Sequence, residues 1–276
     1  MLQIGINTNN ECGANIDEVC ANAKKAGFDS VMVAFKLAGA ENAIQTAIKY
    51  GLDIPFVHLT TRYANDLWVK GGTNTEYVKS VIEELKLCGQ YGIKIAVLHP
   101  TGGNAGELAL PVSKQGISSL KKILKAAHKY GVKIALENLD APNFEQFTYL
   151  LDNVEDEYLG LCYDAGHHML YRPDFDILAN YGNRILAVHL HDNFMDWSYG
   201  YDWTRDIHIL PFDGKIDYKT VCSKIAKTGY NNVVMLELHK EGWNGLGRYD
   251  DVPIADYLKE AKKRAIKLAD MIQKAK

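Results

Sequence analysis

Several features that mark large protein classes are scarce or missing in this chain. Its 276 residues include only five cysteines, Cys12, Cys20, Cys88, Cys162 and Cys222, an odd number without C-x-x-C spacing. Neither a disulfide framework nor a zinc ribbon is indicated, and a reducing compartment fits. There is no basic excess: the formal charge of −3 argues against a global field for nucleic acid. The start, Met1-Leu2-Gln3-Ile4-Gly5-Ile6, lacks the basic, sustained apolar pattern of a signal peptide, and no run reaches membrane-spanning length. These absences predict a soluble, cytoplasmic protein with no membrane partner. Low-complexity tracts and Pro/Gly-rich linkers are also missing, so residues 1–276 read as one domain.

What is present is a rhythm. Gly51 precedes His58, Gly92 precedes His99, Gly131 precedes Glu137, Gly182 precedes His189 and Gly229 precedes Glu237, at offsets of six to eight residues; Gly27 opens the same pattern without a ligand. Apolar residues recur at helical spacing before the glycines, as in Ile16, Val19, Cys20 and Ala23 before Gly27. Each glycine is therefore expected to stop a helix in the left-handed conformation. Apolar runs follow at 30–35, 54–57, 95–98, 134–136, 185–188 and 233–236; adding 2–8 and 159–163 gives eight strands, buried on both faces as parallel strands should be. Eight such units in this length, 47% of it hydrophobic, predict an α/β fold, a single-domain (β/α)8 TIM barrel, with a last helix around 254–272 closing the ring. A doubly wound open sheet is the alternative, but its G-x-G-x-x-G fingerprint after the first strand is absent.

Barrels of this kind place chemistry at the C-terminal ends of their strands. That is where His58, His99, Glu137, Asp164, His167, His189, His191 and Glu237 fall, with Asp206-x-His208 in the loop after strand seven. A lone histidine at a strand end is ordinarily a hydrogen-bonded structural residue. Here all nine histidines except His128 and His239 lie at or just beyond strands three, four, six and seven. Burying Glu137 or Glu237 unpaired would be costly, so a cation partner is the economical reading. Imidazoles and carboxylates together suit Zn²⁺, Mn²⁺ or Fe²⁺. His168 is expected to neighbour the site, His191 to bind substrate or orient a ligand, and His128 to be inert.

The strings Glu137-Asn138-Leu139, Gly160-Leu161-Cys162-Tyr163-Asp164-Ala165-Gly166-His167, Val188-His189-Leu190-His191-Asp192-Asn193 and the segment from Asp206 to Asp217 resemble the xylose isomerase-like TIM barrels over essentially the whole chain. That superfamily includes sugar and sugar-phosphate isomerases and epimerases, inositol-catabolism enzymes and endonuclease IV-type DNA repair enzymes. For the epimerases, the resemblance implies a metal site of Glu137, Asp164, His189 and Glu237, with His167 contacting substrate. For the endonuclease IV branch it implies a trinuclear zinc set of His58, His99, Glu137, Asp164, His167, His189, Asp206, His208 and Glu237. The two sets are nested, so ligand identity does not choose the reaction; the cofactor is a divalent metal (Zn, Mn or Mg), one ion or as many as three. The glycine that usually follows the proline of the last motif is replaced here by Phe212.

The loops separate the two chemistries. Trp68, Trp197, Trp203 and Trp243 all follow strands, and 193–205 is too aromatic for a solvated loop. Such rings could pack on a sugar or close over it, or equally form a subunit contact in a homo-oligomer. The cations Arg62, Lys70, Arg172, Arg205, Lys240 and Arg248 are interspersed with acids and form no stripe for phosphates of DNA, although Arg205 is suited to a single sugar phosphate. The expected activity is a divalent-metal-dependent isomerase or epimerase of a sugar, sugar phosphate or related polyol. The resemblance implies a metal-stabilised enediolate, with Glu137 and Glu237 as the acid/base pair and His167, His191, Trp203 and Arg205 contacting substrate. A phosphodiesterase of the endonuclease IV type is the alternative.

Overall fold

The computed structural model describes residues 2–35, 39–102, 110–139, 144–194, 203–241 and 249–276. Its strands are β1 (Ile4–Asn7), β2 (Ser30–Ala34), β3 (Val57–His58), β4 (Ile95–Leu98), β5 (Lys133–Glu137), β6 (Leu159–Asp164), β7 (Ile185–Leu190) and β8 (Val234–Leu236). They pair in parallel in chain order, and β1 pairs β8 to close a barrel. The helices are α1 (Ile16–Ala26), α2 (Ala40–Lys49), α3 (Glu76–Gln90), α4 (Lys114–Tyr130), α5 (Phe144–Asn153), α6 (Ala165–Tyr171), α7 (Ile177–Tyr181), α8 (Tyr218–Lys227) and α9 (Ile254–Lys274). The fold is the expected (β/α)8 barrel. No helix among the described residues is long and apolar enough to cross a membrane.

The glycine rhythm has the expected physical cause at five positions: Gly27, Gly51, Gly92, Gly131 and Gly229 all have positive φ. Gly182 differs. It ends α7 at φ −61 and continues into a 3-10 turn, so it stops the helix without the left-handed conformation. What requires glycine there is space, because a Cβ would crowd the Thr228 methyl at 2.5 Å. Strand three is also shorter than the apolar run 54–57 suggests, since Pro55 has no N–H to donate and regular pairing begins at Val57.

Two apolar layers result from strand alternation. One fills the space between barrel and helices, where α9 packs on β1, β8, α1 and α8 through Leu258, Ala261, Ala265, Leu268 and Ile272. The other lies inside the barrel and consists of Met32, Phe56, Val97, Ala135, Cys162, Ala187, Val233 and Met235. Because side chains alternate along a strand, residues two positions further on continue this interior column upward. The apolar filling is therefore the floor on which the next layer stands.

At the N-terminal end of the barrel, Gly160 of β6 lies against the backbone of Arg184, whose guanidinium donates to the carbonyls of Leu151, Val154 and Leu159. A Cβ at Gly160 would collide with the Arg184 carbonyl oxygen and the Leu186 side chain. Gly160→Ala is expected to cost about 1–3 kcal/mol through overpacking. Equilibrium urea unfolding checks this, and an unchanged midpoint would contradict the tight approach.

Candidate metal centre

The interior column changes character at one level. Phe56, Val97, Ala135, Cys162, Ala187 and Met235 belong to the apolar floor, and two residues beyond them stand His58, His99, Glu137, Asp164, His189 and Glu237. Alternation alone thus turns these side chains inward on six strands. His191 takes the next inward position beyond β7. His167 arrives differently: Asp164 caps α6, accepting from the His167 backbone N–H at 2.7 Å, which places the His167 ring three residues into the helix above its own cap. Asp206 and His208 come from the loop before α8.

Among the described residues, three groups of side chains have ligand atoms within 4.8 Å of one another: Glu137, Asp164, His189 and Glu237; His58, His99 and Glu137; and His167, His191, Asp206 and His208. His189 Nδ1 lies 3.0 Å from Glu137 Oε1 and 2.9 Å from Glu237 Oε2. Glu137 Oε2 lies 3.1 Å from His58 Nε2 and 3.0 Å from His99 Nε2, so this one carboxylate joins two groups. Asp206 Oδ2 lies 2.8 Å from His167 Nε2 and 3.2 Å from His208 Nε2. All nine residues of the sequence-derived ring are brought together.

The imidazoles are oriented by backbone carbonyls. Nδ1–H of His58 donates to the Leu59 oxygen at 3.0 Å, that of His167 to Asn138 at 2.9 Å and that of His208 to Glu237 at 3.0 Å. A carbonyl only accepts, so the proton must sit on Nδ1, leaving Nε2 as a lone pair aimed into the cluster whenever the ring is neutral. This is the arrangement metal-ligating histidines use. Asp164 Oδ2 supplies the direct test of fit: it is buried without a hydrogen-bond partner among the described residues, amid other carboxylates, where a cation would satisfy it.

A family model described as a xylose isomerase-like TIM barrel matches residues 20–271. The chain belongs to that family. Against curated relatives, it is 31% identical over 150 residues to an uncharacterized protein of Sinorhizobium fredii, covering 52% of this chain and 43% of that one. It is 26% identical over 193 residues to the inosose isomerase of Bacillus velezensis, covering 66% and 68% respectively. To the probable endonuclease 4 of Mycoplasma capricolum it is 30% identical over 134 residues, covering 42% and 45%. The chain spans about half the length of the first curated relatives it matches. The crystal structure of the IolI protein with a binding zinc atom superposes at a TM-score of 0.74 and 19% identity, over 100% of this chain and 99% of that one, which shows the shared fold.

Within this xylose isomerase-like barrel, the sequence located the ring but understated His191. Its Nε2 lies 3.1 Å from Asp164 Oδ1 and its ring stacks on His208 at 3.7 Å and 9°, inside the third group. The signal was available in the alternation Ala187, His189, His191. His168 is bound by Tyr163 and the Phe175 carbonyl, a neighbour as expected. His239 meets Glu11 at 2.7 Å, and Trp68 is a core residue donating to the Pro100 carbonyl. Arg205 is half-buried in the turn Trp203–Arg205, adjacent in the chain to Asp206, and only the backbone of Trp203 is described. Trp197, Trp243 and Arg248 lie outside the described residues. Phe212 adopts φ +74, the conformation the family's glycine would supply, and His208 sits at φ +47. Each costs about 1–3 kcal/mol for a non-glycine residue. Phe212 recovers part of this by packing on Tyr218 and under Lys267 Nζ, 3.7 Å from its ring centre.

Burial pushes the Glu137 carboxyl up, but His189 and His99 outweigh it and hold Glu137 well below the usual range. Glu237 is likewise depressed, burial again being overcome chiefly by His189. Burial works to lower the His208 pKa, yet Asp206 raises it to about 9. Carboxylates also raise His58 and His167 against burial, and Cys162 followed by Glu237 and Glu137 raises His189, while burial prevails at His99 and lowers it. For the metal-free protein the raised histidines dominate. Their stabilisation is fully present below the unfolded value near 6.5 and is lost as pH rises through the folded values, to about 9 for His208. The melting temperature of chelator-treated protein should therefore fall between pH 6.5 and pH 9; a rise over that window would contradict the assignment.

Proposed function

We propose that this chain is a divalent-metal-dependent isomerase or epimerase acting on a sugar, sugar phosphate or related polyol. The observation that carries the reading is the convergence of Glu137 and Glu237, from β5 and the end of β8, on His189 Nδ1 at 3.0 and 2.9 Å, with Asp164 in the same group. Glu137, Asp164, His189 and Glu237 would hold the ion, and a divalent cation supplies polarisation of a substrate carbonyl when bound. The inosose isomerase relative and the zinc in the IolI structure support both the reaction class and the cofactor.

The proton chemistry belongs to the glutamates. One carboxylate takes the proton from the carbon beside the carbonyl as the C–H electron pair moves toward the carbonyl, and the other returns a proton. Return to the opposite face of the same carbon is epimerisation; return to the neighbouring carbon is isomerisation. The neighbouring histidines hold both carboxyls down in the metal-free chain, so either can begin as the base, and the partner carboxyl must first take up a proton from solvent before it can return one to carbon. His167 and His191, beside Asp164, would orient substrate hydroxyl groups either directly or through an ion shared with Asp206 and His208, and Trp203 and Arg205 would make the outer substrate contacts.

A second reading, a phosphodiesterase acting at abasic sites in DNA, is favoured by the two further ligand groups and by the endonuclease 4 relative. It ranks lower because two of the six loop cations, Lys240 and Arg172, are already engaged within the chain. Lys240 is buried with its Nζ donating to the Tyr249 and Asp250 carbonyls, and Arg172 is paired with Asp174.

Incubating the metal-loaded protein with ketoses, aldoses and their phosphates in deuterated water should incorporate deuterium into one of them. With the metal held saturating, Glu237→Gln should lower that rate by about 10²–10⁴-fold, the usual worth of a general acid or base. Near-normal turnover would remove Glu237 from the chemistry. Duplex DNA containing an abasic site should remain uncut, and metal-dependent incision would install the second reading.

A further inference from the structure

The residues directly after His191 form a clamp on the loop that supplies Asp206 and His208. Asp192 is fully buried. Its Oδ1 accepts the backbone N–H groups of Asn193 at 2.9 Å and Ile216 at 3.1 Å, and its Oδ2 accepts that of Phe212 at 3.1 Å. Its own backbone exchanges two hydrogen bonds with Ile209 at 2.9 Å. Gly214 approaches so closely that a Cβ there would collide with Asp192 Oδ1 and the Asn193 carbonyl.

Asn193, also fully buried, acts on the ligand itself. Its Oδ1 accepts the Ile207 N–H at 2.7 Å, and its Nδ2 donates to Asp206 Oδ1 at 3.1 Å. That bond fixes which carboxylate oxygen faces inward: Oδ1 is engaged by Asn193, and Oδ2 is left toward His167 and His208. The gripped loop contains the two positive-φ residues His208 and Phe212, conformations that side-chain-bearing residues hold only when their surroundings impose them.

The geometry points to Asp192 and Asn193 as positioning residues that impose the strained form of the 206–216 loop and so set cation affinity at the His167–His191–Asp206–His208 group. This rests on the reading of the rim as a metal centre, and concerns a different ion from the one held by Glu137, Asp164, His189 and Glu237. An asparagine at 192 presents one oxygen where three N–H groups converge, so the loop loses acceptors, relaxes at Phe212 and His208, and carries the His208 ring away from Asp206. Removing the Asn193 amide frees the Asp206 carboxylate to rotate.

The test is cobalt binding to metal-stripped full-length protein, measured by equilibrium dialysis with elemental counting, for wild type, His208→Ala, Asp192→Asn and Asn193→Ala. Circular dichroism confirms folding. His208→Ala should remove one ion per chain, and Asp192→Asn and Asn193→Ala should each weaken that same ion by about 10–100-fold, the usual effect of disturbing a ligand's supporting partners, while another ion stays bound. Wild-type affinity for that ion in both variants overturns the inference. If Asp192→Asn does not fold, Asn193→Ala decides alone. If wild type and His208→Ala bind the same number of ions, the third group holds no cation and the inference falls, whereas the main site fails only if Glu237→Gln leaves cobalt binding unchanged.

Discussion

Three carboxylates, Glu137, Asp164 and Glu237, are buried side by side on top of an apolar barrel filling, and the rest of the rim follows from that constraint. Like charges at this spacing in a low-dielectric interior repel strongly, and removing each from water adds to the cost. The surrounding imidazoles offset this only by taking protons. In the metal-free state, His189 is pulled well above its usual pKa by its surroundings while the glutamates beside it are pulled down. A divalent cation offers the same compensation without those protons, leaving the imidazole lone pairs free to coordinate. The Nδ1–H donations to backbone carbonyls already hold His58, His167 and His208 in the orientation this needs.

The scaffold meets the constraint by dividing labour. Strand ends, whose side-chain directions are fixed by barrel pairing, supply the shared carboxylate Glu137 and the group built around His189. A helix cap supplies His167. Only Asp206 and His208 depend on irregular backbone, and there the structure uses buried hydrogen bonds from Asp192 and Asn193 to impose a strained path. Precision is therefore inherent in the first group and externally maintained in the third.

Much of this was legible in the sequence because two simple periods carry it. Helix-stop glycines gave the barrel repeat, and strand alternation gave inward-facing ligands. Gly182 shows the limit of the first signal: a glycine demanded by close packing looks the same in sequence as one demanded by positive φ. His191 shows the limit of the second, since period two turns it inward without saying which group it joins. The role of Asp192 was illegible, because its partners are backbone N–H groups that no residue type announces. Phe212 could be flagged as a departure, but the aromatic and lysine packing that helps hold it at φ +74 comes from α8 and α9, distant in the chain.

On the proposed reading, the buried carboxylate layer is a cation cage. Diffraction from crystals of the zinc- or manganese-loaded protein, recorded at the absorption edge of that metal, tests it most directly. An anomalous peak coordinated by Glu137, Asp164, His189 and Glu237 is expected. Loaded crystals with no anomalous density among those four side chains would contradict it.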